Sequence, residues 1–245
     1  MQRRGLLVRF LGTGTPLGQR GLHQACILVE TSDRRVLIDC GMTVLASLGK
    51  IAMEPADVDA VVISHLHGDH FGGLPLMLLD ASLRPRARPL TIAGPADTRA
   101  RVEHALEVFG WTSVRVDVAR FVHLVPAVPT SIAGCEVTAF DVRHSPATAP
   151  TGLRLAAEGV TIGYSGDAGW SDALVDIARS ADLFICGVWW FKADDPTFID
   201  VATLQGNRER LDCRRIVLTH LGPDVLERLA DVPLEVVEDG SVIQL

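Results

Sequence analysis

His65-Leu66-His67-Gly68-Asp69-His70 is the stretch that decides how this 245-residue sequence is interpreted. It holds three of the eight histidines of the chain and one aspartate. His65 and His67 are two positions apart and so do not share a helix face, and they follow an apolar segment, 60–64, that is typical of a buried strand. We therefore predict a loop at a strand end, where imidazole and carboxylate groups converge. These groups suit zinc, manganese or iron, and four of them within six residues are more than one catalytic tetrahedral ion uses beside its water, so two adjacent ions fit better.

Three further candidate ligands follow other predicted strands. His144 comes after the strand 137–142, Asp167 after 162–165 and His220 after 216–219. Because polar side chains at strand ends can converge at one sheet edge, these residues complete what a pair of metal ions needs. The predicted sets are His65, His67 and His144 for one ion, Asp69, His70 and His220 for the other, and Asp167 as a bridge between the two.

Short apolar strands and amphipathic helices alternate around these residues, as in an α/β fold. Besides the strands already named, the expected strands are 6–11, 26–30, 35–39, 90–93, 183–186 and 234–237, with a hairpin over 151–164 and a β-rich stretch over 114–142. The expected helices are 42–50, 73–82, 96–109, 171–180 with Ser171 as N-cap, and one near 201–211. Segments 59–65 and 215–220 are weakly similar, and we call them the echoed segments. Each is an apolar strand followed by His, which suggests two similar halves that face each other.

The ordered set HLHGDH, then a histidine, then Asp167 in GYSGD, then His220 in LTH resembles the metallo-β-lactamase superfamily. The resemblance runs from FLGTGTP near the start to LTHLG near the end, and it implies a four-layer αββα sandwich with metals at one sheet edge. It also implies that Asp39 in VLIDCG supports a metal ligand from behind. The segments FLGTGTPLG and GYSGDAG are most similar to the ribonuclease Z and cyclic-phosphodiesterase branch.

Two departures from that branch bear on the substrate. Ribonuclease Z proteins carry a long arm that holds tRNA between the ligands that match His144 and Asp167, but only 22 residues lie between them here. Those enzymes also carry a histidine, thought to protonate the leaving group, in a region that here reads Cys186-Gly187-Val188-Trp189-Trp190. Both departures argue against tRNA as a partner and favour a small-molecule substrate.

The expected activity is that of a binuclear metal-dependent hydrolase. Two metals lower the pKa of a bridging water from about 15.7 towards 7, which generates hydroxide at neutral pH, and Asp69 is the candidate acceptor of its proton. Zinc is the first choice of metal, with manganese or iron as alternatives. Hydrolysis of a small or cyclic phosphodiester ranks first; a lactonase, thioesterase or β-lactamase-like acyl hydrolase and, from another class, a non-catalytic metal-binding accessory or sensor protein are the alternatives.

Composition narrows the class further. Length and the lack of a linker predict a single domain over 1–245. No apolar run is longer than nine residues, as in 183–191, and Arg9 interrupts the start of the chain, so neither a membrane span nor a signal peptide is expected. A net charge of −7 argues against a dedicated nucleic-acid or membrane binder, and five scattered cysteines favour a reduced, cytoplasmic protein. A homodimer is the assembly left open.

Several weaker features have a structural and a functional interpretation. The Arg84, Arg86 and Arg88 cluster is favoured as a solvated loop over a phosphate-attracting patch. Gly12-Thr13-Gly14 lacks the following helix of a phosphate-binding motif, although its loop is able to line the site. His23 is the unassigned histidine in that region, and Trp189-Trp190 are candidates for either a pocket roof or core packing.

Overall fold

A computed structural model describes residues 5–245; residues 1–4, which begin the segment considered above as a leader, lie outside the described residues. Within that range the chain forms two seven-stranded sheets that pack face to face, with helices on both outer faces. This is the expected four-layer αββα sandwich.

The described elements are short, and most strands contain three to seven residues. The strands are β1 Leu7–Gly12, β2 Cys26–Glu30, β3 Arg35–Ile38, β4 Ala60–Val62, β5 Leu90–Gly94, β6 Ala119–His123, β7 Thr130–Ile132, β8 Cys135–Asp141, β9 Thr151–Ala157, β10 Val160–Tyr164, β11 Leu183–Gly187, β12 Ile216–Thr219, β13 Glu235–Val236 and β14 Val242–Gln244. The α-helices are α1 Val44–Lys50, α2 Gly68–Phe71, α3 Leu74–Leu83, α4 Thr98–Val108, α5 Asp172–Ala178, α6 Val201–Gly206 and α7 Pro223–Glu227.

Each sheet is antiparallel on one side and parallel on the other. The first sheet runs β14-β1-β2-β3-β4-β5-β6, with β3 to β6 parallel. The second runs β13-β12-β11-β10-β9-β8-β7, with β10 to β13 parallel. Parallel strands direct their carboxyl ends to the same edge, where α/β proteins bind ligands. The functional side chains are therefore expected at the carboxyl ends of the parallel strands.

Alternation along the strands separates the layers. In β3, Val36 and Ile38 join the core between the sheets, whereas Leu37 packs under the helices. This is the period of two that a strand imposes on its side chains, and it leaves no face of β3 for water. The layer under α1, α3 and α4 is a second core, and the layer under α5, α6 and α7 is a third.

Most predicted elements form within one to two residues of their predicted bounds. The expected hairpin forms as β9–β10 and turns at Glu158-Gly159. Ser171 occupies the N-cap of α5, although its hydroxyl makes no capping bond. The helix predicted near 201–211 is interrupted: α6 ends at Gly206, and a separate 3₁₀ turn follows over Arg208–Arg210. The described residues include no helix with the length and apolarity required to cross a membrane.

Candidate metal centre

The seven predicted ligands meet at one edge of the sandwich, between the carboxyl ends of strands from both sheets. His65 follows β4 of the first sheet, whereas Asp167 follows β10 and His220 follows β12 of the second. The echoed segments 59–65 and 215–220 thus belong to opposite sheets and lead to the same site, as expected from their similarity. Six of the seven side chains are buried, and His67 is half-buried.

The hexapeptide is not the continuous loop that we predict from its spacing. Its second half forms the one-turn helix α2, because the carbonyl of His67 accepts hydrogen bonds from the backbone N–H groups of His70 and Phe71 at 3.0 and 3.1 Å. His65 and His67 precede this turn. The short helix directs Asp69 and His70 into the protein, where both are buried.

One group of candidate ligands consists of three histidines and an aspartate. Nδ1 of His67 lies 3.1 Å from Nε2 of His65 and 3.0 Å from Nε2 of His144. Oδ2 of Asp167 lies 3.9 Å from the Nε2 atoms of His65 and His144. The four ligand atoms all lie within 4.8 Å of one another, which is the arrangement of a metal-binding cluster.

The second group lies on the other side of Asp167. Oδ2 of Asp69 is 3.4 Å from Nε2 of His70 and 3.5 Å from Nε2 of His220. Asp167 faces this group as well, with Oδ1 at 3.5 Å from Nε2 of His70 and Oδ2 at 3.4 Å from Nε2 of His220. Asp167 therefore stands between the two groups, where the sequence analysis expects a bridging ligand.

These separations suit ligands that share an ion. Two atoms bound tetrahedrally at about 2.1 Å lie about 3.4 Å apart. Among the described residues, nine buried side-chain N or O atoms have no hydrogen-bond partner, and five of them belong to this site. Buried polar groups are rarely left unpaired without a functional reason, so the residues present fit a pair of bound metal ions. The five atoms are Asp69 Oδ2, His70 Nε2, Asp167 Oδ1, and Nδ1 and Nε2 of His220.

Hydrogen bonds behind three of the histidines set their tautomers. Nδ1 of His65 donates to Oγ of Ser64 at 3.0 Å, and Nδ1 of His144 donates to the carbonyl of Thr197 at 3.0 Å. Nδ1 of His70 donates to Asp39 at 2.7 Å. With Nδ1 engaged in this way, Nε2 of each ring is the nitrogen left to bind a metal.

Asp39 connects this outer layer. Besides the bond from His70, its carboxylate accepts the backbone N–H and the hydroxyl of Ser64 at 2.8 and 2.9 Å. Tyr164 Oη donates to it at 2.9 Å. The sequence indicates Asp39 but not Tyr164 or Ser64. The signal for these two is their position at or just after a strand end, next to predicted ligands. Asp39 has a left-handed backbone, φ 58°, which a non-glycine residue adopts at a cost.

The two groups of candidate ligands differ in the charge of their histidines. Burial lowers the pKa of His65 and His67, and neighbouring histidines lower it further, so both rings are neutral at pH 7. Burial also disfavours a charged His70, but Asp167, Asp39 and Asp69 outweigh that effect and hold its pKa well above the ordinary value. For Asp167, burial raises the pKa, but His220 and His70 overcome it and keep the carboxyl ionised.

A cavity of about 480 Å³ opens over the ligands. Trp189 forms part of its wall and stacks at a tilt on Phe198, with ring centroids 5.0 Å apart, so the pocket-roof interpretation of Trp189 holds. Among the described residues around the cavity, the side chains with ionisable groups are candidate ligands. The lining residues are Pro16, Gln24, Met42, His67, Gly68, Asp69, Asp167, Trp189 and Phe198.

The weaker sequence features have structural roles. Arg84 pairs with Glu54 and Asp80, Arg86 donates to the backbone carbonyls of Pro55 and Val58, and Arg88 pairs with Asp59, so each guanidinium of the cluster has a partner within the protein. The His23 ring contacts Ser47 of α1. Cys186 is fully buried, as expected for a residue of β11.

Known proteins resemble this chain in sequence and in fold. The profile of the family described as Anti-Pycsar protein Apyc1 matches residues 6–226. Ribonuclease Z of Mycobacterium bovis (strain BCG / Pasteur 1173P2) is 27% identical over 194 residues, which cover 74% of this chain and 69% of that protein.

Solved structures with the same fold include two that match nearly the whole chain. The metallo-β-lactamase fold protein YhfI from Bacillus subtilis superposes with a TM-score of 0.78 at 20% identity, covering 98% of this chain and 99% of the other. The short form of human tRNase Z superposes with a TM-score of 0.75 at 23% identity, covering 97% and 98%. The two seven-stranded sheets with flanking helices therefore form a metallo-β-lactamase fold, as the resemblance implies.

Proposed function

This chain belongs to the Anti-Pycsar protein Apyc1 family, and from that premise we propose that it is a binuclear metal-dependent phosphodiesterase that acts on a small or cyclic phosphodiester. The observation that carries the proposal is the set of four buried, unpartnered ligand atoms that face one another between the two sheets: Asp69 Oδ2, His70 Nε2, Asp167 Oδ1 and His220 Nε2. A ribonuclease Z relative, an enzyme class that acts on the phosphodiesters of RNA, supports the phosphodiester over an acyl substrate.

Two divalent ions fit this donor set, with zinc as the first choice and manganese or iron as alternatives. When bound, the ions supply Lewis acidity, which lowers the pKa of water and neutralises charge that develops on a phosphoryl oxygen. In this proposal Asp167 belongs to both ligand sets. The sets are His65, His67 and His144 for one ion and Asp69, His70 and His220 for the other.

Asp69 has a second role in the proposal. It lines the cavity, so its carboxylate is within reach of a substrate and of the attacking water. Burial raises its pKa, but His70 and His220 outweigh burial and keep the pKa below the ordinary value. An ionised carboxylate at that position is able to accept the proton of the attacking water. Asp39 is not an ion ligand in this proposal. It orients the ring of His70 through the hydrogen bond to Nδ1.

The size and the walls of the cavity favour a compact substrate. About 480 Å³ is room for a small organic phosphodiester. Trp189, Phe198, Met42 and Pro16 offer apolar surface to its organic part, and the candidate ligands His67, Asp69 and Asp167 line the same cavity. The cavity would therefore place an organic group against the apolar residues and a phosphoryl group beside the residues that would hold the metals.

The connection between His144 and Asp167 supports the same choice. It consists of the short 3₁₀ turn Pro146–Thr148 and the hairpin β9–β10, whose strands pair inside the second sheet. No residue of this connection is left to form a protruding arm. We therefore propose that tRNA is not the substrate.

The test is a comparison of substrates with the metal-loaded chain. An aryl phosphodiester and a cyclic phosphodiester are assayed beside a β-lactam, a lactone, a thioester and a precursor tRNA. Asp167→Ala, purified in the same way, is the control for contaminating hydrolases. We expect the two phosphodiesters to give the highest kcat/KM and the variant to be inactive on both.

The other outcomes overturn separate parts of the proposal. Faster hydrolysis of the β-lactam, lactone or thioester identifies an acyl hydrolase. Efficient cleavage of precursor tRNA contradicts the small substrate. Binding of two ions without hydrolysis of any substrate favours the non-catalytic accessory protein.

A further inference from the structure

His220 differs from the other buried histidines of the centre. His65, His70 and His144 each have a hydrogen bond on Nδ1 that orients the ring. Nδ1 of His220 has no partner among the described residues. Its backbone is left-handed, with φ 55°, which is unusual for a residue with a Cβ. The ring of His220 therefore depends on whatever holds its main chain.

One contact that holds this main chain comes from the N-terminal loop. The backbone N–H of His220 donates to the carbonyl of Thr13 at 2.9 Å. Thr13 is buried and follows β1, which belongs to the opposite sheet. This bond thus ties the end of β12 to the end of β1 across the sandwich, directly beside a candidate ligand.

Thr13 is held in turn by Asp239, which lies 226 positions away. Oδ1 of Asp239 accepts the backbone N–H of Thr13 at 2.8 Å and its hydroxyl at 2.9 Å. Oδ2 accepts the backbone N–H of His23 at 2.8 Å. A hydrogen bond to an ionised carboxylate is stronger than one between neutral groups. All three donors to Asp239 are neutral backbone or hydroxyl groups.

The second bond of Asp239 extends the effect to the cavity wall. The segments 12–14 and 22–24 lie backbone to backbone, since Gly14 donates to the carbonyl of His23 at 2.7 Å. A Cβ on Gly12 would lie 1.9 Å from the carbonyl oxygen of Gln24, so only glycine permits this approach. Gln24 lines the cavity. One carboxylate therefore fixes both the loop that holds His220 and the loop that carries Gln24.

We propose that Asp239 is a positioning residue for the candidate metal centre: through Thr13 it sets the main chain of His220, and with it the ion site made by Asp69, His70 and His220. The proposal rests on the proposed function in that it takes His220 to be a metal ligand. The other ion site, with His65, His67 and His144, has its rings held by other contacts and is independent of Asp239.

The variants are Asp239→Ala and Asp239→Asn, with Glu238→Gln as the matched control. Glu238 is the neighbouring residue of the same turn, is exposed, and loses the same charge on substitution. Asp239→Asn keeps the size of the side chain and an acceptor for Thr13, but its amide cannot accept the N–H of His23. It serves as the second variant if Asp239→Ala does not fold.

The first readout is cobalt titration followed by the absorption of the bound ion. We expect Asp239→Ala to weaken one of two sites by about 10- to 100-fold, the effect typical of residues that support a metal ligand from behind. The other site and Glu238→Gln are expected to match the unmodified chain. If Asp239→Ala binds both ions with the affinities of the unmodified chain, the proposal is overturned.

The second readout needs no metal. Hydrogen exchange of the His220 amide in the metal-free chain is expected to be faster in Asp239→Ala and unchanged in Glu238→Gln, because the bond to Thr13 protects that amide. Unchanged exchange overturns the positioning role. If the unmodified chain binds no ion, the proposed function fails, while the exchange measurement still decides whether Asp239 holds His220.

Discussion

Oδ2 of Asp39 and Nδ1 of His70 lie 2.7 Å apart, and both side chains are fully buried. The bond fixes the ring so that Nε2 faces Asp69 and Asp167. Because Asp39 also accepts hydrogen bonds from Ser64 and Tyr164, a single carboxylate joins a candidate ligand to strand ends of both sheets. The architecture of the fold and the orientation of the site therefore depend on the same group.

Asp39→Asn should separate these two roles. The amide keeps the volume of the side chain but is a weaker acceptor for His70, so we expect metal affinity to fall by about 10- to 100-fold. Asp39→Ala leaves several buried donors unpaired, and we expect the free energy of unfolding of the metal-free chain to fall by about 3–5 kcal/mol. Metal titration and urea unfolding measure the two effects.

Asp59→Asn is the control for this prediction. Asp59 is also buried, but it pairs with Arg88 and accepts the backbone N–H of Arg35, neither of which belongs to the candidate centre. We expect it to change stability without changing metal affinity. Equal metal affinity in Asp39→Asn and the unmodified chain would contradict the role of Asp39.

Asp167→Ala should abolish activity and leave the fold mostly intact. Asp167 faces both ligand groups, so its loss affects both ions. Loss of a residue behind a ligand already costs about 10- to 100-fold, and we expect more than about 100-fold in kcat/KM here. Elemental analysis of the unmodified chain, kept from chelators, should give about two ions per chain and fewer in the variant. Circular dichroism checks that the variant keeps the fold. Only a trace of metal in the unmodified chain would contradict the expectation of two ions.

The rate of phosphodiester cleavage should depend steeply on the leaving group. Among the described residues that line the cavity, the ionisable side chains are the candidate ligands His67, Asp69 and Asp167, so none remains to protonate a departing oxygen. We expect good turnover of aryl phosphodiesters and poor turnover of alkyl ones. A plot of log kcat/KM against the leaving-group pKa, for a series of substituted aryl esters, measures the dependence.

His23→Ala is the companion variant for that series. The His23 ring contacts Ser47 and is not among the residues that line the cavity, so the slope should not change. A flat line in the unmodified chain would reveal a proton donor that we have missed. A flat line that steepens in His23→Ala would identify His23 as that donor.

The thiols should be unreactive in the folded chain. Cys26, Cys40, Cys135 and Cys186 are buried, and burial raises the pKa of Cys135 to about 11 and that of Cys186 to about 12. Because the thiolate is the reactive form, we expect an aromatic disulfide reagent at pH 8 to titrate at most Cys213 in the native chain. All five cysteines should react after unfolding in denaturant. Two or more fast thiols in the native chain would contradict this prediction.

The candidate site was more predictable than parts of the fold. The ligands are short, chemically distinctive and close to strand ends, so local sequence carries their signal. By contrast, the strand Val242–Gln244 was not predicted, because its three residues are too few for a pattern and it forms by pairing with β1 at the other end of the chain. The helix α2 was also missed, since a single turn has no periodicity and depends on the surrounding contacts of His67 and His70.

The sequence by itself determined the residue types of the site and the approximate position of most strands. An unbroken apolar run such as Val36, Leu37 and Ile38 predicts a strand that is buried on both faces. Which of these side chains faces the other sheet and which faces the helices was decided by packing. Only the tertiary structure decided which atoms meet. Thr13 lies more than 200 positions from both His220 and Asp239, and it meets His220 because the two sheets pack face to face. No local pattern encodes such a contact, because its energy depends on the packing of the whole sandwich.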